Sequence, residues 1–483
     1  MRFLARIPHL TAVPLTRMTF AGLVCLLIGC TTARPTFQEV DARQARIAGF
    51  ENIRAPLDGE IDSAIRKRFQ RAGSRVPRQY LAISGGGAGG AFSVGVLKAW
   101  SERGDRPTFD LVSGVSTGAL IAPFAFLGTK YDLVLEHLYT SGVATELLDR
   151  KFIVSGLLGE SLYSQKPLRE MVERYVDKLL LTEIADEYRK GRNLFVLTTN
   201  LDTQRAVLWD MGAIANSPRP DALGLFQNVL IASASIPGVF PAVRINAVVD
   251  GRPIVELHSD GGPSAQIMTV PEAVLSNVDL PVPAGARGSD MYLLVNNALM
   301  PEFTVTANST LSVSTRAYSI LVKSQTRQSL YAVYEYCRRV GAQFHMATID
   351  VMVPYKISDP FNTGYMRAVF KIGYDRMLNG RLWRDRPTFS TTQQYYEGDW
   401  LFHSTLSAPA GRRRQVAMIE ELRRNCIMYS IKYDKLIDET PSWLDDHEKV
   451  TRAYIEKRTD DAAGLLKDHI EGARKCLLGV QTG

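Results

Sequence analysis

From Tyr80 onward, short apolar runs alternate with amphipathic stretches, a pattern that predicts strands separated by helices. Leu81–Ser84 and Phe109–Ser113 read as buried strands, each followed by a helix, Phe92–Ser101 and Thr117–Phe126. Leu168, Met171, Val172, Tyr175, Val176 and Leu179 recur at helical spacing and predict one apolar helix face. Phe195–Thr199 and Ala206–Trp209 read as strands, with a helix near Ala222–Ala234 behind them. Asp250-Gly251-Arg252-Pro253 has the composition of a hairpin turn and leads into the alternating run Ile254, Val255, Leu257. Met291–Val295 is a further strand. Tyr318, Leu321, Val322, Leu330, Val333 and Cys337 suggest one or two helices, leading to a strand near Ala347–Val353. Strands alternating with helices predict an α/β layered fold with a largely parallel central sheet. Residues 30–78 are polar and charge-mixed, a tether with short helical pieces, and the domain proper is expected over 79–383. Past Trp383 the texture turns polar and helical, with a weak stripe at Val416, Ile419 and Leu422, so 384–483 reads as a helical C-terminal extension.

Three glycine-bearing stretches interrupt this pattern where chemistry could sit. Gly114-Val115-Ser116-Thr117-Gly118 falls between a strand and a helix, where a tight turn lifts the Ser116 hydroxyl clear of the sheet. The helix that begins at Thr117 turns its free N–H groups towards the same point. Gly85-Gly86-Gly87-Ala88-Gly89-Gly90 follows the first strand and can present the backbone N–H donors that a tetrahedral oxyanion requires. These residues also fit a dinucleotide fingerprint, which calls for an acidic residue at the end of the next strand; here that strand begins with Asp110 and ends in the Ser116 turn. Ser259-Asp260-Gly261-Gly262 offers a carboxylate before two glycines, and on local grounds it is equally readable as a turn.

In order and in residue type, these segments resemble the patatin-like phospholipase family across about Tyr80–Trp383. The glycine run resembles that family's oxyanion loop, Gly114–Gly118 its nucleophile turn, and Ser259–Gly262 its Asp-Gly-Gly/Ala motif. Ala234-Ser235-Ile236-Pro237-Gly238-Val239-Phe240-Pro241, Thr198–Asp202 and Phe361–Met366 are secondary similarities. The resemblance implies a patatin-like layered fold and a serine acyl hydrolase that uses a Ser116–Asp260 dyad. It implies oxyanion donors at Gly86 and Gly87, with Ala88 a further candidate, in the loop Gly85–Gly90. The implied substrate is a lipid or phospholipid acyl ester, cleaved as by a phospholipase A or lysophospholipase; the sequence shows no calcium loop of the EF-hand type, so no metal or cofactor is expected. Many family members carry Arg or Lys where Gly89 stands, so a cationic stabiliser is missing here. Two other readings stay open: a Ser-His-Asp hydrolase using His345 or His403, and a catalytically silent lipid-anchored scaffold. His258 would share a strand face with Asp260.

Composition narrows the partners. A 46% hydrophobic and 22% charged chain of 483 residues can bury a core, and a net charge of +7 without a dense basic stripe gives no reason to expect nucleic acid. The triplet Arg412-Arg413-Arg414 reads as a solvated loop. Arg2, Arg6 and Arg17 precede an apolar stretch, Met18–Ile28, that is too short to span a bilayer and typical of a signal segment. Leu27-Ile28-Gly29-Cys30 resembles a bacterial lipobox, which implies cleavage after residue 29 and lipidation of Cys30. Removal of 1–29 takes three arginines and no acid, leaving a net charge of +4. Thr31, rather than Asp, after the cysteine fits an outer-membrane, periplasm-facing destination in the cell envelope. Cys337, Cys426 and Cys476 then remain, an odd and widely spaced set that does not fix a disulfide and argues against a zinc site.

Overall fold

The computed structural model describes residues 34–57, 78–147, 161, 163–270, 275, 286–301, 305–351, 353–355 and 359–389, with isolated residues between 449 and 468. Residues 298–304, 350–353 and 388–483 cluster as a separate unit, nearly all of it outside the described residues. Cys30, His403, Cys426, Cys476 and the extension's helical stripe also lie outside them.

Among the described residues nine strands make one sheet. Four neighbouring pairs run parallel: β2 (Gln79–Ile83) with β3 (Leu111–Val115), β3 with β4 (Asn193–Asn200), β2 with β8 (Asp290–Val295), and β8 with β9 (Gln343–Thr348). β1 (Arg54–Pro56) and β5 (Arg205–Asp210) extend the sheet antiparallel beyond β4. β6 (Val243–Val249) and β7 (Arg252–Asp260) form a hairpin closed at Asp250 and Gly251, both with positive φ as a two-residue type I′ turn requires. Every residue of β3 and seven of the eight in β4 are buried, so the centre of the sheet is covered on both faces.

Helices provide that cover. In chain order they are α1 (Glu39–Gln44), α2 (Gly90–Arg103), α3 (Thr117–Leu127), α4 (Asp132–Thr140), α5 (Lys166–Tyr175), α6 (Lys178–Arg189), α7 (Met211–Ala215), α8 (Ala222–Ser233), α9 (Thr310–Val340) and α10 (Thr363–Leu378). α3 is apolar on all sides and almost wholly buried, as a helix under a sheet centre must be. α10 crosses α2 closely: a Cβ at Gly95 or Gly373 would collide with the other helix's backbone. That contact anchors α10, whose first turn reaches the cleft described below.

Departures from the sequence pattern have local causes. The single face expected from Leu168 to Leu179 is split between α5 and α6, because Asp177 caps a new helix by accepting the Leu180 N–H at 2.9 Å. Leu179 is therefore 64% exposed instead of buried. β9 lies at Gln343–Thr348, upstream of the apolar run expected near Ala347–Val353. Its outer position in the strand order tolerates polar Gln343 and His345, which hid it from an apolar count. The helical expectation around Tyr318–Cys337 resolves as one helix of 31 residues. In the polar N-terminal stretch, Ile47, Phe50 and Ile53 are buried and Arg54–Pro56 is an edge strand.

Behind the sheet's antiparallel half lies a buried polar chain. Arg54 pairs with Glu256 and lies over the Trp209 ring. Glu256 also meets His258 Nε2 at 3.1 Å, Thr198 Oγ1 meets His258 Nδ1 at 2.9 Å, and Trp209 Nε1 donates to Thr198 Oγ1 at 2.8 Å. A neutral His258 with its proton on Nε2 satisfies every member, and burial lowers its pKa accordingly. Burial alone would raise the Glu256 carboxyl, but hydrogen bonds from His258 and Arg54 outweigh it and bring it down to about 2. The stabilisation from this carboxylate is present above its ordinary value of 4.5 and fades as pH falls towards about 2. Arg54→Ala would strand the carboxylate and should cost about 3–5 kcal/mol at neutral pH, read by urea denaturation. An unchanged midpoint would show that the pair contributes nothing to stability.

Candidate active site

Ser116 stands at the junction of β3 and α3 with φ 56° and ψ −124°, a conformation that costs a non-glycine residue on the order of 1–3 kcal/mol. Its surroundings enforce the turn. The Ser116 N–H donates to Ser233 Oγ at 3.0 Å, and Ser233 Oγ–H donates to the Leu197 carbonyl at 2.6 Å. Gly114 and Gly118 permit the approach of strand to helix: a Cβ on Gly114 would strike the Gly118 backbone, and one on Gly118 the carbonyls of Ile83 and Ser84. Ser233 escaped the sequence reading because it looks like one more small residue at the end of an apolar helix.

Asp260 arrives by a different route. β3 occupies the edge of β4 from Asn193 to Leu197 and stops there; β7 then takes the same edge, pairing Asp260 with Thr198, Ser259 with Thr199 and His258 with Asn200. The other edge of this part of β4 belongs to β5. The end of β7 therefore abuts the end of β3 head-on, and Asp260 comes beside Ser116. Its N–H is held by the Ser235 carbonyl at 2.9 Å, and its Oδ1 accepts the Gly262 N–H at 2.7 Å. The Gly261 carbonyl closes the following turn by accepting the N–H groups of Ser264 and Ala265.

Burial pushes the Asp260 carboxyl up to about 7, against the Ser116 hydroxyl and the Gly262 N–H, which both favour the ionised form. The hydroxyl is near enough to act on the carboxylate, yet no donor meets Oδ2 in good hydrogen-bond geometry. A carboxylate at this position is thus half ionised near neutral pH, with one oxygen free to take a proton.

The glycine loop faces Ser116. Gly86 (φ 149°) and Gly87 (φ 53°) hold conformations open to glycine, and Gly87–Gly89 form a single 3-10 turn that runs into α2 at Gly90. Gly85 lies close enough that a Cβ there would touch Ser116 Cβ, and its N–H is fixed by the Gln266 carbonyl at 2.9 Å. Ala88 and Gly90 are buried, and Gly87 lines the cleft with Ser116 and Thr117. Gly89 has a steric explanation: a Cβ would run into the Asn296 carbonyl oxygen, so a cationic side chain has no room here.

The cleft encloses about 830 Å³ of empty space, including its open mouth. Beyond Ser116 its walls are almost entirely apolar, with Leu120 of α3, Met171 of α5, Leu230 of α8, Phe240, and Met366 of α10. Phe361 also lines it, while Asn362 caps α10 by accepting the Tyr365 N–H at 2.9 Å. Tyr318 of α9 also reaches the site: burial and the Asp260 charge raise its phenol, while a hydrogen bond with Gln266 opposes them.

His258 and His345 are engaged elsewhere. Both ring nitrogens of His258 have the partners described above, and the side chain is fully buried. His345 Nε2 lies 2.8 Å from Asp290 Oδ1, near the amino ends of β8 and β9 and hence at the opposite end of the parallel strands from Ser116. Among the described residues no helix is long and apolar enough to cross a membrane. Cys337 is a buried free thiol 3.9 Å from Met291 Sδ.

Residues 81–282 match the family model for patatin-like phospholipase. Residues 382–472, mostly outside the described residues, match the model for the FCD domain. Over 127 residues the chain is 29% identical to the uncharacterized protein R571 of Acanthamoeba polyphaga mimivirus, covering 26% of this chain and 43% of that one. Over 73 residues it is 42% identical to the cUMP-AMP-activated phospholipase of Escherichia coli, covering 14% of this chain and 22% of that enzyme. The chain thus spans less than half the length of either curated relative. Among solved structures, VipD from Legionella pneumophila superposes with a TM-score of 0.33 at 12% identity, covering 94% of this chain and 91% of VipD.

Two outcomes follow from the packing and the charge. Gly89→Arg should abolish folding or displace the loop, because its Cβ would meet the Asn296 carbonyl; a variant that keeps the wild-type Tm would refute the steric reading. For Asp260, the acid form is the stabilising one. That contribution is complete below the ordinary value of 3.8 and is lost as pH rises through about 7. The stability gap favouring Asp260→Asn should therefore widen between pH 4 and pH 8, by on the order of 4 kcal/mol. Parallel Tm–pH curves for the two proteins would contradict it.

Proposed function

We propose that this chain, which carries a patatin-like phospholipase domain over residues 81–282, cleaves fatty-acyl esters of lipids with Ser116 as nucleophile and Asp260 as base. Lipid acyl hydrolysis is the activity to which the family points; the dyad is our reading of the site. One observation carries it above all: a carboxyl raised to about 7 sits beside a serine on a strained turn, at the wall of an apolar cleft.

The chemistry then runs in two halves. Ser116 Oγ bonds to the ester carbonyl carbon as its proton passes to the free Oδ2 of Asp260, and the carbonyl oxygen becomes an oxyanion. The N–H groups of Gly86, Gly87 and Ala88 and the dipole of α3 face that charge in a site with little water. The tetrahedral intermediate collapses, the C–O bond to the alcohol breaks, and Asp260 returns the proton to the leaving oxygen. Water, deprotonated by Asp260, attacks the acyl-serine, and a second collapse releases the fatty acid and restores Ser116. A pKa near 7 makes Asp260 a far better proton acceptor than an ordinary carboxylate while leaving about half of it ionised at neutral pH. The apolar walls would hold the acyl chain, each buried methylene contributing about 0.8 kcal/mol. Lipidation at Cys30 would tether the cleft to the cell envelope, where such esters are concentrated.

The test is labelling by a fluorophosphonate, together with turnover of a short-chain ester and of phospholipid. Wild type should label, Ser116→Ala should not, and Asp260→Asn should lose roughly 10²–10⁴-fold in kcat while remaining folded. In wild type kcat/KM should rise with pH through about 7 and then level off, since the base must be ionised. His258→Gln and His345→Gln should retain that profile. A folded protein that neither labels nor hydrolyses would instead be a silent scaffold, and a profile abolished by one histidine would indicate a triad.

A further inference from the structure

The glycine loop takes positive φ at Gly86 and Gly87, and because glycine allows so many conformations the loop's shape is set by what packs against it. The buried group that does so here is Asn296, the first residue beyond β8, with 1% exposure. Its N–H donates to Ser84 Oγ at 2.8 Å and its Nδ2 donates to the Ser84 carbonyl at 2.8 Å. Its Oδ1 accepts the Ser93 hydroxyl at 2.6 Å. Ser84 is the last residue before the loop and Ser93 lies in the first turn of α2, just after it. A single side chain therefore ties both roots of the loop together. The Asn296 carbonyl packs where a Cβ on Gly86 or Gly89 would be, pressing on the loop from the side. Asn297 continues the contact, its Nδ2 donating to the Gly85 carbonyl at 3.2 Å, and its own carbonyl is held by Thr348 Oγ1 at 2.8 Å.

This placement follows from topology. The chain leaves β2 to build β3 on one side and later lays β8 on the other, so the ends of β2 and β8 flank a topological switch point, where open α/β sheets place their ligands. Asn296 bridges that gap, and each polar atom of its side chain is satisfied by loop-root atoms.

We propose that Asn296 is a positioning residue of the oxyanion loop: by holding the Ser84 carbonyl and the Ser93 hydroxyl, it aims the N–H groups of Gly86–Ala88 at the developing oxyanion. The inference rests on the hydrolase reading above. Asn296 lies outside the cleft wall, so its effect belongs to the transition state and not to substrate binding.

Asn296→Asp keeps the shape and replaces the donor that holds the Ser84 carbonyl; Ser93→Ala removes only the α2 root bond and is the milder change. Both are compared with wild type in steady-state hydrolysis, in affinity for a trifluoromethyl ketone that adds Ser116 to form an anionic adduct, and in inhibition by free fatty acid. The expected result is a kcat lowered roughly 10- to 100-fold for Asn296→Asp and roughly 3- to 10-fold for Ser93→Ala, with KM within about twofold. Ketone affinity should fall by the same factor as kcat/KM, and fatty-acid inhibition should stay constant. If Asn296→Asp does not fold, the Ser93→Ala split between ketone and fatty acid decides. Unchanged kcat in the folded variants, or equal losses of ketone and fatty-acid binding, would overturn the positioning role while an active wild type leaves the hydrolase reading intact. A wild type that is inert towards ester and fluorophosphonate would overturn both.

Discussion

One edge of β4 organises the molecule. β3 holds it up to Leu197, and β7, running the other way, holds it from Thr198 to Asn200. Because β5 occupies the opposite edge, β7 has nowhere to pair except in line with β3. Two strands that meet end to end bring the residue after one, Ser116, beside the last residue of the other, Asp260. The hairpin through Asp250 and Gly251 sets the register of β7, and a slip of one residue would turn Asp260 to the other face of the sheet.

The same junction accounts for the electrostatics. Main-chain atoms that would otherwise need water are paired across it: Asp260 N–H with Ser235, Gly262 N–H with Asp260 Oδ1, Ser116 N–H with Ser233. With the backbone satisfied, the site can stay dry, and a dry site raises a carboxyl pKa. Asp260 is 2% exposed, and the hydrogen bonds that oppose the rise do not cancel it. Two residues back along β7, His258 is the middle of a chain of buried contacts that binds Arg54 and β1 to Thr198 and Trp209 in the same part of the sheet.

Around this centre, remote segments of chain close the cleft. α5, α8 and the first turn of α10 supply its apolar walls, and the close crossing of α2 with α10 holds Phe361 and Met366 in place. The glycine loop beside Ser116 is fixed by the end of β8. Glycine at position 89 is then a consequence of packing, since the Asn296 carbonyl fills the space that a side chain would need.

Much of this was legible beforehand. The apolar runs around Leu81, Phe109, Phe195 and Met291 marked the parallel strands, because buried strands must be apolar throughout, and the Asp250-Gly251 pair marked a hairpin through its backbone chemistry. Ser116 and the glycine loop stood out because turns of this kind need glycines at fixed offsets, whereas Asp260 was singled out only by the resemblance of Ser259–Gly262 to a family motif. What the sequence could not decide is anything set by a partner distant along the chain. The break at Asp177 depends on a cap that competes with a continuous apolar face, and β9 shows only through its register on β8. Ser233, Asn296 and Met366 are ordinary residue types whose roles exist only once residues more than 100 positions apart are in contact. Local composition determines which segments become strands, helices and turns; the pairing order of the sheet decides which of them share a site, and with it the burial that raises the Asp260 carboxyl.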